Sequence, residues 1–126
     1  MSLLLDTNLL IYHMQGVPAA TEFLLQAIAE DSLNISLITK IEFLGWWKHT
    51  ADGLMKCRML IDQSNVFPIS DLIADRAIEL RMSGRIGVAD AVVAATALVN
   101  NLKLATRNVR DFEGIRGLET INPING

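Results

Sequence analysis

Short β-like runs alternate along this chain with longer segments that read as amphipathic or apolar helices. The short runs, residues 3–5, 34–38, 66–69, 103–106 and 119–122, predict β-strands, and the longer segments between them predict helices. Residues 18–31 open with Pro18, where a first-turn proline is tolerated, and gather Phe23, Leu24, Ala27 and Ile28 on one face. Residues 39–49 and 51–63 predict a helical hairpin broken at Thr50. Residues 71–82 turn Leu72, Ile73, Ala77 and Leu80 toward a core and Asp75, Arg76 and Glu79 outward, and Ser83 and Gly84 end the helix. The alternation of strands and helices predicts an α/β fold with a parallel sheet. The tail, residues 123–126, is expected to close the domain.

Residues 88–99 differ from the other helical segments. They are alanine and valine on nearly every side, which places the helix in the middle of the molecule, and Asp90 is their only ionisable residue. With 126 residues, 51% of them apolar, the chain fits one compact domain, residues 1–126. Its apolar runs are too short for a bilayer span, and no basic-then-apolar leader opens it, so a soluble cytoplasmic protein with no membrane partner is expected. The single cysteine, Cys57, excludes an internal disulfide and a cysteine-based zinc cluster. The formal charge of −3 argues against indiscriminate binding to nucleic acid. Seven of the eleven Lys and Arg residues nevertheless lie from Arg76 onward, where they are either a basic face or ordinary solvated charges.

Ligands of open α/β sheets gather at the carboxyl ends of the strands. Asp6 follows the first strand, Glu42 the second, Asp90 lies in the first turn of the apolar helix, and Asn108 and Asp111 follow the strand at 103–106. Carboxylates converging on one half-buried rim repel one another unless a cation neutralises them. Hard oxygen ligands without His or Cys select Mg²⁺ or Mn²⁺, an ion suited to polarising a phosphodiester and activating water. Each acid also has a plain structural explanation. Thr39 and Glu42 have capping-box spacing, Asp6 before Thr7 and Asn8 fits a helix cap or turn, Asp90 suits the helix dipole, and Asp111 is an ordinary loop acid.

Four stretches then stand in an order that resembles the PIN domains, in particular VapC-type toxins. They are the opening Leu-Leu-Leu-Asp6-Thr7-Asn8, the central Thr39-Lys-Ile-Glu42-Phe-Leu, Val88-Ala-Asp90-Ala-Val-Val, and the closing Leu-Ala-Thr106-Arg107-Asn108-Val-Arg-Asp111-Phe112 with Ile121-Asn122-Pro123. The resemblance implies a three-layer α/β/α fold with a central five-stranded parallel sheet. It also implies Mg²⁺- or Mn²⁺-dependent endoribonuclease activity and the toxin role in a type II toxin–antitoxin pair. Asp6, Glu42 and Asp90 match the family's three firmest acids. The fourth position holds Asn108, with Asp111 just downstream, so either residue completes the metal shell. Thr7, Asn8, Thr39 and Thr106 match polar positions that orient carboxylates by hydrogen bonds.

Partners follow from the same resemblance: an RNA substrate, an antitoxin and a second copy of the chain. Arg85, Arg107 and Arg110 are candidate phosphate contacts. Trp46 and Trp47, read as neighbours on one helix, point about 100° apart and cannot share one core, so at least one is expected in a protein interface. Three alternatives remain at this level: a housekeeping PIN nuclease of RNA maturation, a catalytically silent PIN binding module, and a receiver-like phosphoacceptor domain, which would want a second acid beside Asp6.

Overall fold

The computed structural model describes residues 2–124; of the expected closing tail, Asn125 and Gly126 lie outside the described residues. Five short strands, β1 (Leu3–Leu5), β2 (Asn34–Ser36), β3 (Asn65–Phe67), β4 (Lys103–Ala105) and β5 (Thr120–Ile121), form one sheet in the order β3-β2-β1-β4-β5. Every pairing is parallel, with Leu4 opposite both Asn34 and Leu104. Six helices surround it: α1 (Thr7–Met14), α2 (Pro18–Ala29), α3 (Leu37–Leu44), α4 (Ala51–Asp62), α5 (Asp71–Ser83) and α6 (Val88–Val99). The order is not the 2-1-3-4-5 of receiver domains, which removes that alternative.

Side chains on a strand alternate between faces, and here the alternation sorts the helices into two layers. Leu5, Ile35 and Ala105 pack with Leu9 and Leu10 of α1, Leu24 of α2, and Leu60 and Ile61 of α4. Leu4 and Leu104 face the other way, onto Val93, Ala94 and Ala97 of α6. Helix α5 covers α6 from outside through Ile73 and Ala77. The alanines of α6 permit this close sandwich, and its residues 91–97 are all buried, as its sequence predicts.

Several expectations need correction. Residues 7–14, for which the sequence pattern predicts no element, form α1, which opens at the polar Thr7 and Asn8 directly after the strand. Strand β2 stops at Ser36 because that side chain accepts from the Ile38 amide at 3.2 Å and caps α3. Thr39 is therefore inside the helix, and Thr39 and Glu42 are not a capping box. At its other end α3 stops at Leu44, where the Gly45 amide bonds the Ile41 carbonyl at 2.8 Å. A Cβ on Gly45 would stand 2.5 Å from that same oxygen. Trp46 and Trp47 thus lie in a turn and not on a helix, and both are exposed, at 53% and 82%. Leu72 is also exposed, because it precedes by one residue the stripe formed by Ile73, Ala77 and the half-buried Leu80. Among the described residues no helix is long and apolar enough to cross a membrane.

Candidate active site

The sheet changes direction of growth between β1 and β4, and the carboxyl ends of those two strands leave the crevice that such a switch point creates. Asp6 is the first residue beyond β1 and caps α1, its Oδ1 accepting from the Thr7 amide at 2.8 Å. Thr106 is the first residue beyond β4 and donates its hydroxyl to Asp6 Oδ2 at 2.8 Å. The Asn8 amide group reaches Asp6 Oδ2 and Thr106 Oγ1, each at 3.4 Å, while its oxygen accepts from the Arg107 backbone N–H at 3.3 Å. The Thr106 oxygen also accepts from the Asn108 amide at 3.0 Å. The two loops are therefore tied together through one buried carboxylate.

A second tie runs from α1 to α3. The Thr7 hydroxyl donates to Glu42 Oε1 at 2.9 Å and lies 3.1 Å from the buried hydroxyl of Thr39. Glu42, with its side chain exposed on α3, is thereby anchored at the rim by a residue adjacent to Asp6. Of the four polar residues expected to orient carboxylates, Thr7, Asn8 and Thr106 contact one directly, and Thr39 supports Thr7.

Asp90 lies in the first turn of α6, half-buried, and its carboxylate accepts no hydrogen bond from any described residue. Burial raises its pKa to about 6, and the charges of Asp6, Asp111 and Glu42 push in the same direction. Burial likewise raises the pKa of Asp6, where the bonds from Thr106 and Thr7 pull it down and the charges of Glu42 and Asp111 add to the rise. The four acids thus share one field, although they come from four separate parts of the chain. Asp111 belongs to this set: it sits exposed in the short 3-10 turn Val109–Phe112 that follows β4. Asn108 precedes that turn, and its carbonyl accepts from the Asp111 amide at 3.1 Å.

As they stand, no three His, Cys, Asp or Glu side chains among the described residues close into a cage around an ion. The donor chemistry nevertheless fits a hard divalent cation, since the rim offers carboxylate oxygens whose mutual repulsion such a charge would relieve. Beside the rim a cleft of about 420 Å³ is lined on one side by the last turns of α5 and the loop that joins it to α6, and on the other by Asp111 and the loop after the 3-10 turn. Arg85 lines it, whereas Arg107 and Arg110 do not. Arg76 and Arg116 line it as well, and sequence reasoning did not single them out. Their only sequence signal was membership of the basic C-terminal half.

Comparison with known proteins agrees with this geometry. The profile of the PIN domain family matches residues 3–118. Ribonuclease VapC10 of Mycobacterium tuberculosis is 37% identical over 115 residues, which cover 87% of this chain and 85% of that protein. Among solved structures, a toxin–antitoxin complex from Klebsiella pneumoniae contains a chain that is 35% identical, with a TM-score of 0.79 over 97% of this chain and 98% of that one. The DNA-bound VapBC of Salmonella typhimurium superposes with a TM-score of 0.83 over 98% of each chain at 23% identity, a likeness of fold.

Proposed function

Since the chain belongs to the PIN domain family, we propose that it is a metal-dependent endoribonuclease, one PIN domain over residues 1–126, acting as the toxin of a toxin–antitoxin pair. The observation that carries the metal-dependent mechanism is Asp90, a half-buried carboxylate with no hydrogen-bond partner among the described residues, in the field of three other acids. Likeness to a ribonuclease over most of both chains supports the substrate class, and likeness to a chain of a toxin–antitoxin complex supports the antitoxin partner.

In this reading Asp6 and Asp90 hold Mg²⁺ or Mn²⁺ directly, Glu42 joins them, and Asp111 completes the shell in preference to Asn108. When bound, the ion supplies Lewis-acid polarisation of the phosphodiester and lowers the pKa of a water. The chain's own part is positional. Thr106 fixes Oδ2 of Asp6, and Thr7 fixes Glu42, so two carboxylates are oriented before substrate arrives. The residues that follow Asp90 on α6, Ala91 to Ala95, are buried in the two apolar clusters, which fixes the helix that carries it.

The exposed Trp46–Trp47 turn is assigned to a protein interface, with the antitoxin or with a second copy of the chain in a homodimer. Its rings are held in place: His49 meets Trp46 edge-on at 5.2 Å, and the Lys48 ammonium lies 5.0 Å from the centre of Trp47. The cytoplasm is the compartment where such a toxin would meet its RNA. The reading is tested by incubating a structured RNA pool with the protein in Mg²⁺, Mn²⁺ or EDTA, beside Asp90→Asn. Cleavage by the wild type with either ion, absent in EDTA and in the variant, is expected; equal cleavage by both proteins overturns the mechanism.

A further inference from the structure

We infer that the cleft beside Asp111 is the channel through which a single RNA strand enters or leaves the rim, with Arg85 and Arg116 as its phosphate contacts. This rests on the ribonuclease reading above and goes beyond it by assigning the substrate's path and the residues that line it.

Three arginines, Arg76, Arg85 and Arg116, line one cleft together with Glu79, Asp111 and Glu113. Arg76 is engaged by Glu79 at 3.5 Å. Arg85 and Arg116 form no hydrogen bond or ion pair with any described residue, so their guanidinium groups are available to an outside anion. The loop that carries Arg85 is held in place, because Arg81 donates to the Ile86 carbonyl at 3.0 Å. Guanidinium groups suit phosphate oxygens through paired, planar hydrogen bonds. Glu113 lies on the same cleft and is an acceptor suited to a ribose hydroxyl or an exocyclic amine, not to phosphate.

The geometry favours one strand over a duplex. A groove that offers two unpaired guanidinium groups, Arg85 and Arg116, beside the acids Asp111 and Glu113 tracks a single backbone, whereas double-stranded RNA is read across a wide minor groove that a cleft of about 420 Å³ does not match. Asp111 lines the cleft and also belongs to the shared field of the acids, so the cleft and the rim meet at this residue.

Two independent variants probe the cleft. Arg85→Ala with Arg116→Ala removes the charges. Gly84→Trp fills the space: Gly84 has an extended φ of −167°, and a Cβ there meets nothing within 4 Å. Arg58→Ala removes an exposed charge from α4 and serves as the control. Binding of a short labelled single-stranded RNA is followed by anisotropy in EDTA across a salt series, and cleavage is followed separately in Mg²⁺. The double arginine variant is expected to bind about tenfold more weakly, with a salt slope shallower by about 1.4, the value for two single-strand phosphate contacts. Gly84→Trp should weaken binding comparably while keeping its salt slope, and Arg58→Ala should bind as the wild type.

Wild-type affinity and slope in both cleft variants would overturn the channel, as would equal weakening by Arg58→Ala or preferential binding of a duplex. If the wild type cleaves RNA while the cleft variants bind normally, the channel falls and the nuclease reading stands. If the cleft variants lose RNA but no ion supports cleavage by the wild type, the nuclease reading falls and the channel stands.

Discussion

Asp6 and Asp90 are acids of the same kind at matching places, each at the start of a helix on the carboxyl rim of the sheet, but their surroundings differ. The Asp6 region is built from polar donors: Thr106, the Thr7 amide and Asn8 all converge on one carboxylate. The Asp90 region is built from alanine and valine and offers its carboxylate no donor among the described residues. Burial raises the proton affinity of both, yet only at Asp6 do hydrogen bonds pull against the rise. The contrast separates a carboxylate held by the protein from one left to be compensated from outside. A rim with one of each is fixed in geometry and still lacks positive charge, which is what a cation site requires.

Neutralising each acid in turn should separate the two regions. Asp6→Asn and Asp90→Asn are each expected to lower kcat/KM for RNA by about 10³-fold or more, a loss of roughly 4 kcal/mol in transition-state stabilisation. Their stabilities should diverge. Asp90→Asn removes a desolvated, repelled charge and no hydrogen bond, so the metal-free protein should become more stable. Asp6→Asn relieves charge too, but leaves two strong donors, Thr106 and the Thr7 amide, to one amide oxygen. It should therefore be less stable than Asp90→Asn by about 1–2 kcal/mol in urea unfolding. Equal stabilities would erase the distinction between the two regions.

Thr106 is where that distinction is made. Thr106→Val keeps the shape, deletes the hydroxyl that fixes Asp6, and should reduce metal affinity or activity by about 10–100-fold. It should also cost about 1–3 kcal/mol, since Asp6 and the Asn108 amide each lose a partner. Thr106→Ser should recover most of both quantities. A valine variant with unchanged metal affinity, measured by calorimetry, would show that Asp6 is held by its helix cap alone.

The pH dependence of stability reports the Asp90 side. Its folded pKa of about 6 lies above the ordinary 3.8, so between those values the native state binds more protons than the unfolded chain. Stability from this group is therefore full below about pH 4 and is lost as pH rises through about 6. The expected loss in the metal-free protein is about 1 kcal/mol once solvent screening at this half-buried site is allowed for. Asp90→Asn should flatten that part of the profile. Mg²⁺ should act in the opposite sense, stabilising more at pH 7.5 than at pH 5, and a pH-independent Mg²⁺ increment would count against Asp90 as a ligand.

Much of this was legible in the sequence, for reasons that differ by element. Helix α6 was readable to its ends because its composition admits only a buried position, and its lone acid stood out for the same reason. The parallel sheet followed from alternation, and Asp6 from its place after β1. Helix α1 was not legible, since two turns of apolar sequence following a strand carry no period of their own. The role of Glu42 was obscured by a spacing rule. Thr39 and Glu42 satisfy the capping-box pattern, but the cap three residues earlier, at Ser36, is a contact that spacing alone does not single out. The helical pattern of residues 39–49 runs through Trp46 and Trp47, but Gly45 ends the helix before them. Hydrogen bonds across long separations, such as Thr106 to Asp6, leave no local trace in sequence at all.

The smallest expected effects concern the fourth ligand, and they test how far the Asp90 type of environment extends. Asn108 and Asp111 lie three residues apart on the same turn, and both are exposed, so burial does not separate them. Charge does. Asp111 contributes to the raised pKa of both Asp6 and Asp90, whereas Asn108 is neutral, and its backbone is used to start the turn and to bond Thr106. Asp111→Asn, which keeps an oxygen ligand but removes its charge, should therefore weaken Mg²⁺ binding by about tenfold and lower the pKa of Asp90 as well. Asn108→Ala, which keeps the backbone contacts, should change either quantity by less than about twofold. NMR titration of the Asp90 carboxyl in the metal-free protein reads the electrostatic half of this without any assay of activity. If Asn108→Ala weakened Mg²⁺ as much as Asp111→Asn, an uncharged oxygen would be completing the shell, and relief of repulsion would not be the rule that selects the ligands of this rim.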